Sequence, residues 1–194
     1  MQGEKEEQRL GRNKKTSVDK SYIENGDFRK KFDKISESKC LNRLLYHLAK
    51  AMLMHRSGTI YEDMYWIDVE SNKVVAKITD STDEGKIIYP ESVKRIISRN
   101  KGLMTIHSHP SGLPPSVADF NSNYEHDYSL GVIAGHNGKV FVYWSNELIT
   151  EDYFEQKVAQ YRLSGYNEDE SRKMTLDYCV QHFDIYYKEV TTNE

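Results

Sequence analysis

The segment at residues 102–109, GLMTIHSH, constrains the fold more than any other part of the chain. Its apolar and β-branched residues predict a buried strand that ends in two histidines. A Gly/Pro-rich stretch, PSGLPP, follows this strand. The next segment begins with Ser116, which is suited to the N-cap position of a helix. Asp119 then falls in the first turn, where an acidic residue is typical of a helix. A strand, a loop and a helix in this order indicate an α/β fold.

The flanking segments extend this pattern. Apolar residues at helical spacing predict a helix from Cys40 to a stop at Ser57-Gly58, and Asn137-Gly138 is a strong hairpin-turn signal between two further strands. The other predicted elements are a hairpin over residues 59–80, a short helix over 90–100 and helices after residue 150. The order of elements predicts an α/β fold with a curved mixed sheet flanked by helices.

Composition suggests three regions. Residues 1–35 are polar and lack a sustained hydrophobic period, so we expect a flexible leader. Residues 36–150 carry the alternating strands and helices and are expected to form the central domain. Residues 151–194 show helical stripes, one of which includes Phe183 and Tyr187, and we expect a C-terminal helical extension. This extension is predicted to pack on the domain or to form a partner contact, with a homodimer as one candidate.

Charge and hydropathy narrow the class of partner. The chain is 38% hydrophobic and 29% charged, and it contains no apolar run of the roughly 18 residues that a membrane span needs. Its first residues lack the apolar core of a signal peptide, so we expect a cytoplasmic protein without a membrane partner. Residues 1–35 hold ten basic and seven acidic side chains, a net charge of +3, without an arginine cluster or an aromatic platform. We therefore expect no nucleic-acid partner.

The two histidines suggest a metal site. Residues two apart in a strand face the same side, so His107 and His109 point together at a strand end. The Gly/Pro-rich loop can fold the next helix back over that end and bring Asp119 to them. Two imidazoles, one carboxylate and an open fourth position are the parts of a catalytic zinc site, and we expect one Zn²⁺ per chain. A lone HxH pair or a lone SxxD motif is usually structural, but their combination favours zinc.

Hydrolysis at such a site also needs a general base, and Glu62 is the candidate. It alternates onto the same face of the predicted strand as Met64 and Trp66, and these apolar surroundings would raise the pKa of its carboxyl group. Asp63 and Glu70 are competing candidates. Ser116 has two possible roles, as the helix N-cap or as a donor to the oxyanion of a tetrahedral intermediate.

The run HSHPSGLPPSVAD resembles the signature of the JAMM/MPN-plus metalloproteases: His-x-His-Pro, a short loop and Ser-x-x-Asp, with a distant upstream Glu on a strand. The resemblance covers about residues 40–145 and implies the curved, deaminase-like sheet of that family. It implies that His107, His109 and Asp119 hold zinc. It further implies that Glu62 is the catalytic acid/base and that Ser116 lies on the oxyanion side.

Two departures from the family pattern are visible. The loop between His109 and Ser116 has six residues, one fewer than the usual motif, and its two adjacent prolines make it stiff. The chain also lacks long insertions at the two places where ubiquitin-clamping members carry them. The resemblance therefore favours a compact prokaryotic- or phage-type member.

The sequence thus predicts a zinc-dependent peptidase or isopeptidase that hydrolyses an amide bond in a protein or peptide substrate, with the tail of a ubiquitin-like or other carrier protein as one candidate. Two alternatives stay open at this point. The same fold can serve as a non-catalytic scaffold or binding module. It can also be a hydrolase for a different small amide or carrier substrate.

Overall fold

The computed structural model describes residues 13–192, which form seven α-helices, six strands and one short 3-10 turn. The helices are α1 (Lys20–Glu24), α2 (Gly26–Phe32), α3 (Lys39–Arg56), α4 (Glu91–Ile97), α5 (Val117–Glu125), α6 (Glu151–Leu163) and α7 (Glu168–His182). The strands are β1 (Met64–Asp68), β2 (Lys73–Ile78), β3 (Met104–His109), β4 (Leu130–Gly135), β5 (Val140–Ser145) and β6 (Ile185–Glu189).

All six strands join one mixed sheet in the order β2-β1-β3-β4-β5-β6. Only β3 and β4 are parallel, and α5 lies in the connection between them, as a parallel pair requires a crossover. Every residue of β3 is buried because the strand lies inside the sheet and both of its faces are covered. The expectation of an α/β fold with a mixed sheet covered by helices is confirmed.

Successive side chains of β3 point to opposite faces of the sheet. Met104 and Ile106 point into a core formed with α1, α2 and α3. The opposite face carries Thr105, His107 and His109. Two further apolar clusters cover that face, one with α4 beside β1 and β2 and one with α5, α6 and α7 beside β4 to β6. The histidines therefore lie between the sheet and the second helical layer.

The prediction of a flexible leader is wrong for the part of residues 1–35 that the structure describes. Phe28 and Phe32 are fully buried and their rings pack edge-on to each other and against Tyr46 of α3. The helices α1 and α2 have only five and seven residues, so they are too short to show a hydrophobic period. Their start signals are Asp19 and Asn25, whose side chains cap the two helices. Residues 1–12 lie outside the described residues.

The prediction of an entirely helical C-terminal region needs one correction. Helices α6 and α7 are present, but Ile185–Glu189 is a strand that pairs antiparallel with β5. Phe183 and Tyr187, four apart, fit a helical stripe, yet Ile185 and Tyr187 also fit the alternation of a strand that packs on α6 and α7. A homodimer contact through this region stays a prediction.

No helix within residues 13–192 combines the length and the apolar character needed to cross a bilayer.

Replacing Phe28 with Ala tests the packing of the N-terminal helices. We expect the free energy of unfolding to fall by about 3–5 kcal/mol, because a fully buried aromatic ring leaves a cavity. The exposed neighbour Arg29 provides the control, and Arg29→Ala should change stability by less than about 0.5 kcal/mol. Urea denaturation measures both. Equal stability of the two variants would show that α2 does not belong to the core.

Candidate metal centre

The end of β3 presents two imidazole rings side by side. The Nε2 atoms of His107 and His109 are 2.9 Å apart, and the residues are 3% and 8% exposed. Two imidazole lone pairs at this distance would repel each other, so the arrangement needs either a shared proton or a cation next to both nitrogens. One N–H is enough for two neutral rings, whereas two lone pairs directed at the same point need a cation between them.

Asp119 supplies the third side chain, from the first turn of α5. Its Oδ1 lies 3.2 Å from Nε2 of His107, and its Oδ2 lies 3.5 Å from Nε2 of His109. The loop of residues 110–115 turns the chain back so that the start of α5 lies over the end of β3. The structure thus brings together the three residues that the sequence predicted as zinc ligands.

Ser116 orients this carboxylate. Its hydroxyl group and its backbone N–H both donate to Oδ2 of Asp119, each at 2.7 Å. The serine oxygen in turn accepts from the backbone N–H of Asp119 at 3.2 Å, which completes a capping box at the start of α5. Oδ2 is held by these bonds, and Oδ1 faces His107. Of the two predicted roles of Ser116, the structure shows the cap, and the oxyanion role stays a prediction.

A backbone contact sets the proton position on His109. Its Nδ1 lies 3.0 Å from the carbonyl oxygen of Leu113, and only an N–H can bond to that oxygen. In the neutral ring, Nε2 therefore carries the lone pair and faces the other ligands, as in many metal sites. Nδ1 of His107 has no hydrogen-bond partner among residues 13–192.

Glu62 also lies close to the two rings. It comes two residues before Met64, the residue of β1 that pairs with His107. One carboxylate oxygen of Glu62 and one ring nitrogen of each histidine lie within 4.8 Å of one another. Burial raises the pKa of Glu62, while the charges of His109 and His107 act in the opposite direction.

Backbone hydrogen bonds of the next residue, Asp63, position Glu62. The backbone N–H of Ser108 donates to the carbonyl of Asp63, and the N–H of Asp63 donates to the hydroxyl of Ser108, both at 3.0 Å. The pairing of β1 with β3 thus continues past Met64, and it places Glu62 alongside His109. Because residues alternate, the side chain of Asp63 points to the opposite face of the sheet.

On that opposite face Asp63 forms a buried ion pair. Arg56 donates from Nε to Oδ1 at 2.6 Å, and Nδ1 of His55 lies 2.7 Å from Oδ2. Asp63 and Arg56 are 1% and 2% exposed. The side chain of Asp63 is therefore bound to α3 and does not face the two metal-site histidines. Glu70 lies exposed in the turn between β1 and β2, so neither competitor lies at the centre with Glu62.

Sequence reasoning missed this ion pair, although the sequence contained a signal. Arg56 continues the apolar stripe of α3 after Ala49, Met52 and Leu53. An arginine on a buried stripe needs a buried acidic partner.

The carboxylate of Asp119 and the two imidazoles interact favourably when the rings carry positive charge. Burial alone would raise the pKa of Asp119, but the two imidazoles hold it well below its usual range. Burial opposes the charge of His109, yet hydrogen bonding to Asp119 prevails and raises its pKa to about 9. A proton on His109 thus supplies positive charge where a metal ion could do so.

The distances fit a small divalent metal ion. Tetrahedral zinc with ligands at 2.0–2.2 Å separates neighbouring ligand atoms by about 3.3–3.6 Å. The separations of 2.9 and 3.2 Å at His107 are slightly shorter, so a small outward shift of the side chains would admit the ion. Two sets can hold an ion: Glu62 with both histidines, or Asp119 with both histidines. They differ in how the carboxylate is held: Ser116 orients the carboxylate of Asp119, whereas the carboxylate of Glu62 forms no hydrogen bond within residues 13–192.

The centre opens into a cleft of about 1410 Å³ between the sheet and the second helical layer. Residues of the 85–89 segment, the 111–115 loop, α7 and β6 line it. Its volume exceeds the ~300–1,000 Å³ of a typical small-molecule pocket, so a chain segment can enter.

Replacing either histidine with Ala should remove metal binding. We expect the purified wild-type chain to bind about one equivalent of Zn²⁺, and the His107→Ala and His109→Ala variants to bind less than a tenth as tightly, because each loses an inner ligand. His47→Ala is the control, since His47 lies on the exposed side of α3. Competition with a chromophoric chelator measures the affinity. Full retention of zinc by both variants would contradict the site.

The chain was compared with known protein families, curated proteins and solved structures. No protein-family model, curated protein or solved structure matches the chain. A proposal for the function therefore depends on the chemistry of the residues at the site.

Proposed function

We propose that the chain is a zinc-dependent hydrolase that cleaves an amide bond in a peptide or isopeptide. The observation that carries this proposal is the convergence of His107, His109 and Asp119 at the end of a large cleft, with Glu62 beside them. The resemblance of HSHPSGLPPSVAD to the JAMM/MPN-plus motif supports the same reading.

Zinc is the metal that this donor set favours. Two imidazoles and one carboxylate in a tetrahedral arrangement are typical of catalytic zinc, whereas Mg²⁺ and Ca²⁺ prefer oxygen ligands alone. We assign the ligands as His107, His109 and Asp119. Asp119 is the better third ligand because Ser116 already orients its carboxylate. Glu62 is then free for proton transfer.

The zinc ligands and Glu62 would have different roles in the hydrolysis. A bound zinc ion would polarise the scissile carbonyl and make a water in the cleft more acidic. Glu62 accepts the proton of that water and delivers it to the leaving nitrogen. Burial raises its pKa toward the range in which a carboxyl group both takes and gives a proton.

Ser116 has a conditional role in this scheme. Its single hydroxyl hydrogen is donated to Asp119. To stabilise an oxyanion, the hydroxyl group has to turn from the carboxylate to the substrate, and the backbone N–H of Ser116 would then hold Oδ2 alone.

The half-buried carboxylate of Glu62 favours an enzyme over a scaffold. A binding module of the same fold has no need of a second acid beside the metal ligands, and burying it costs free energy. The other alternative, a hydrolase that acts on a different small amide or carrier substrate, would use the same residues. A screen of peptides and carrier-protein fusions distinguishes that hydrolase from the proposed peptidase or isopeptidase.

Replacing Glu62 with Gln tests the assignment of the base. Turnover should fall about 10²–10⁴-fold, because the shape is kept and the proton acceptor is lost. Zinc content should stay at the wild-type level, since Glu62 is not an assigned ligand. Cleavage is followed by mass spectrometry on peptides that the zinc-loaded wild-type chain cuts.

Glu70→Gln is the matched control, because Glu70 is exposed in the β1–β2 turn. Asp63→Asn is unsuitable as a control, since it breaks the buried pair with Arg56. Normal turnover in Glu62→Gln would place the base elsewhere, and loss of zinc would make Glu62 a ligand.

A further inference from the structure

Two apolar walls flank the proposed metal centre, and the first lies on the β1 side. Met64 pairs with His107 across β1 and β3, so the two side chains are neighbours on one face of the sheet. The hydroxyl of Tyr89 lies 3.6 Å from the sulfur of Met64. Met64, Tyr89 and Ile87 all line the cleft. An apolar surface therefore begins directly beside a ligand histidine.

This first wall is held in place before any substrate arrives. The ring of Tyr89 packs edge-on against Trp66 with centroids 5.0 Å apart, and its hydroxyl is hydrogen-bonded to Ser122 of α5 at 3.1 Å. Trp66 is fully buried. A wall fixed on two sides binds a ligand without the entropy cost of ordering it.

The second wall is the loop of residues 110–115. The carbonyl of Leu113 accepts from Nδ1 of His109, yet the Leu113 side chain is 47% exposed. Leu113 lines the cleft together with Pro114, Pro115 and Val117. A half-exposed leucine tied through its backbone to a ligand histidine is placed to touch whatever enters the centre.

Glycine at position 112 fixes the shape of this loop. Gly112 has φ 67°, and a Cβ atom there would collide with the side chain of Asn137. Asn137 donates to the carbonyl of Gly112 at 3.2 Å, and the N–H of Gly112 donates to the carbonyl of His109. The position of Leu113 is therefore set by the same bonds that hold the end of β3.

We propose that these walls bind an apolar side chain of leucine or phenylalanine size on the residue next to the scissile amide. This inference rests on the proposed function and narrows its substrate class. The basic side chains on the α4 side of the cleft, Lys86 and Lys94, are exposed, and Lys94 is paired with Glu91. The acids near the walls, Glu62 and Asp119, belong to the centre. A charged substrate side chain placed against Met64, Ile87 and Leu113 would lose part of its hydration, whereas an apolar one would gain by burial.

Binding of N-acetylated amino-acid hydroxamates to the zinc-loaded chain tests the proposal without relying on turnover. The hydroxamate group binds zinc at an open coordination position, and the amino-acid side chain then reports on the walls. Leucine and phenylalanine hydroxamates should bind at least about tenfold more tightly than glycine hydroxamate, and aspartate and lysine hydroxamates should gain nothing. Isothermal titration calorimetry measures each affinity.

Single substitutions test which residues produce the preference for an apolar side chain. Leu113→Ser and Ile87→Ser should each reduce the preference for leucine over glycine hydroxamate at least about threefold with zinc content unchanged. Leu148→Ser is the matched control: Leu148 is 46% exposed and lies outside the cleft lining, so its variant should keep the full preference.

The outcomes separate the two proposals. Equal affinity for glycine and leucine hydroxamates, or tighter binding of a charged one, would overturn the apolar subsite and leave the zinc centre intact. A chain that binds neither zinc nor any hydroxamate would overturn the proposed function and this inference with it.

Discussion

The buried ion pair between Arg56 and Asp63 connects the helical layer to the candidate site. It fixes the segment before β1 against α3, and the backbone bonds between Asp63 and Ser108 tie that segment to the strand of the two histidines. Glu62 can face His109 only while this register holds. Removing one partner would leave a buried charge, a loss of about 3–5 kcal/mol. A contact on one face of the sheet thus sets the geometry on the other.

The fold was predictable where the signals are local. The strand ending in HSH, the helix after Ser116 and the hairpin at Asn137-Gly138 each carry their own pattern within a few residues. The helices α1 and α2 were missed because five- and seven-residue helices show no period, and their stability comes from tertiary burial of Phe28 and Phe32. Strand β6 was missed because Tyr187 fits both a helical stripe and a strand alternation.

The candidate site was predictable in its composition and less so in its contacts. Strand alternation puts His107 and His109 on one face whatever the rest of the chain does. The approach of Asp119 depends on the shape of the 110–115 loop, which sequence spacing only permits. The hydroxyl of Ser116 is a further case: SxxD is compatible with a cap or an oxyanion donor, and only the distances show that it bonds to Asp119.

We propose that one zinc ion binds between His107, His109 and Asp119 while Glu62 stays unbound. Crystals of the zinc-loaded chain, measured above and below the zinc absorption edge, test it directly. We expect a single anomalous peak about 2.0–2.2 Å from both Nε2 atoms and from Oδ1 of Asp119. A peak bonded to Glu62 in place of Asp119, or no peak at the end of β3, would contradict it.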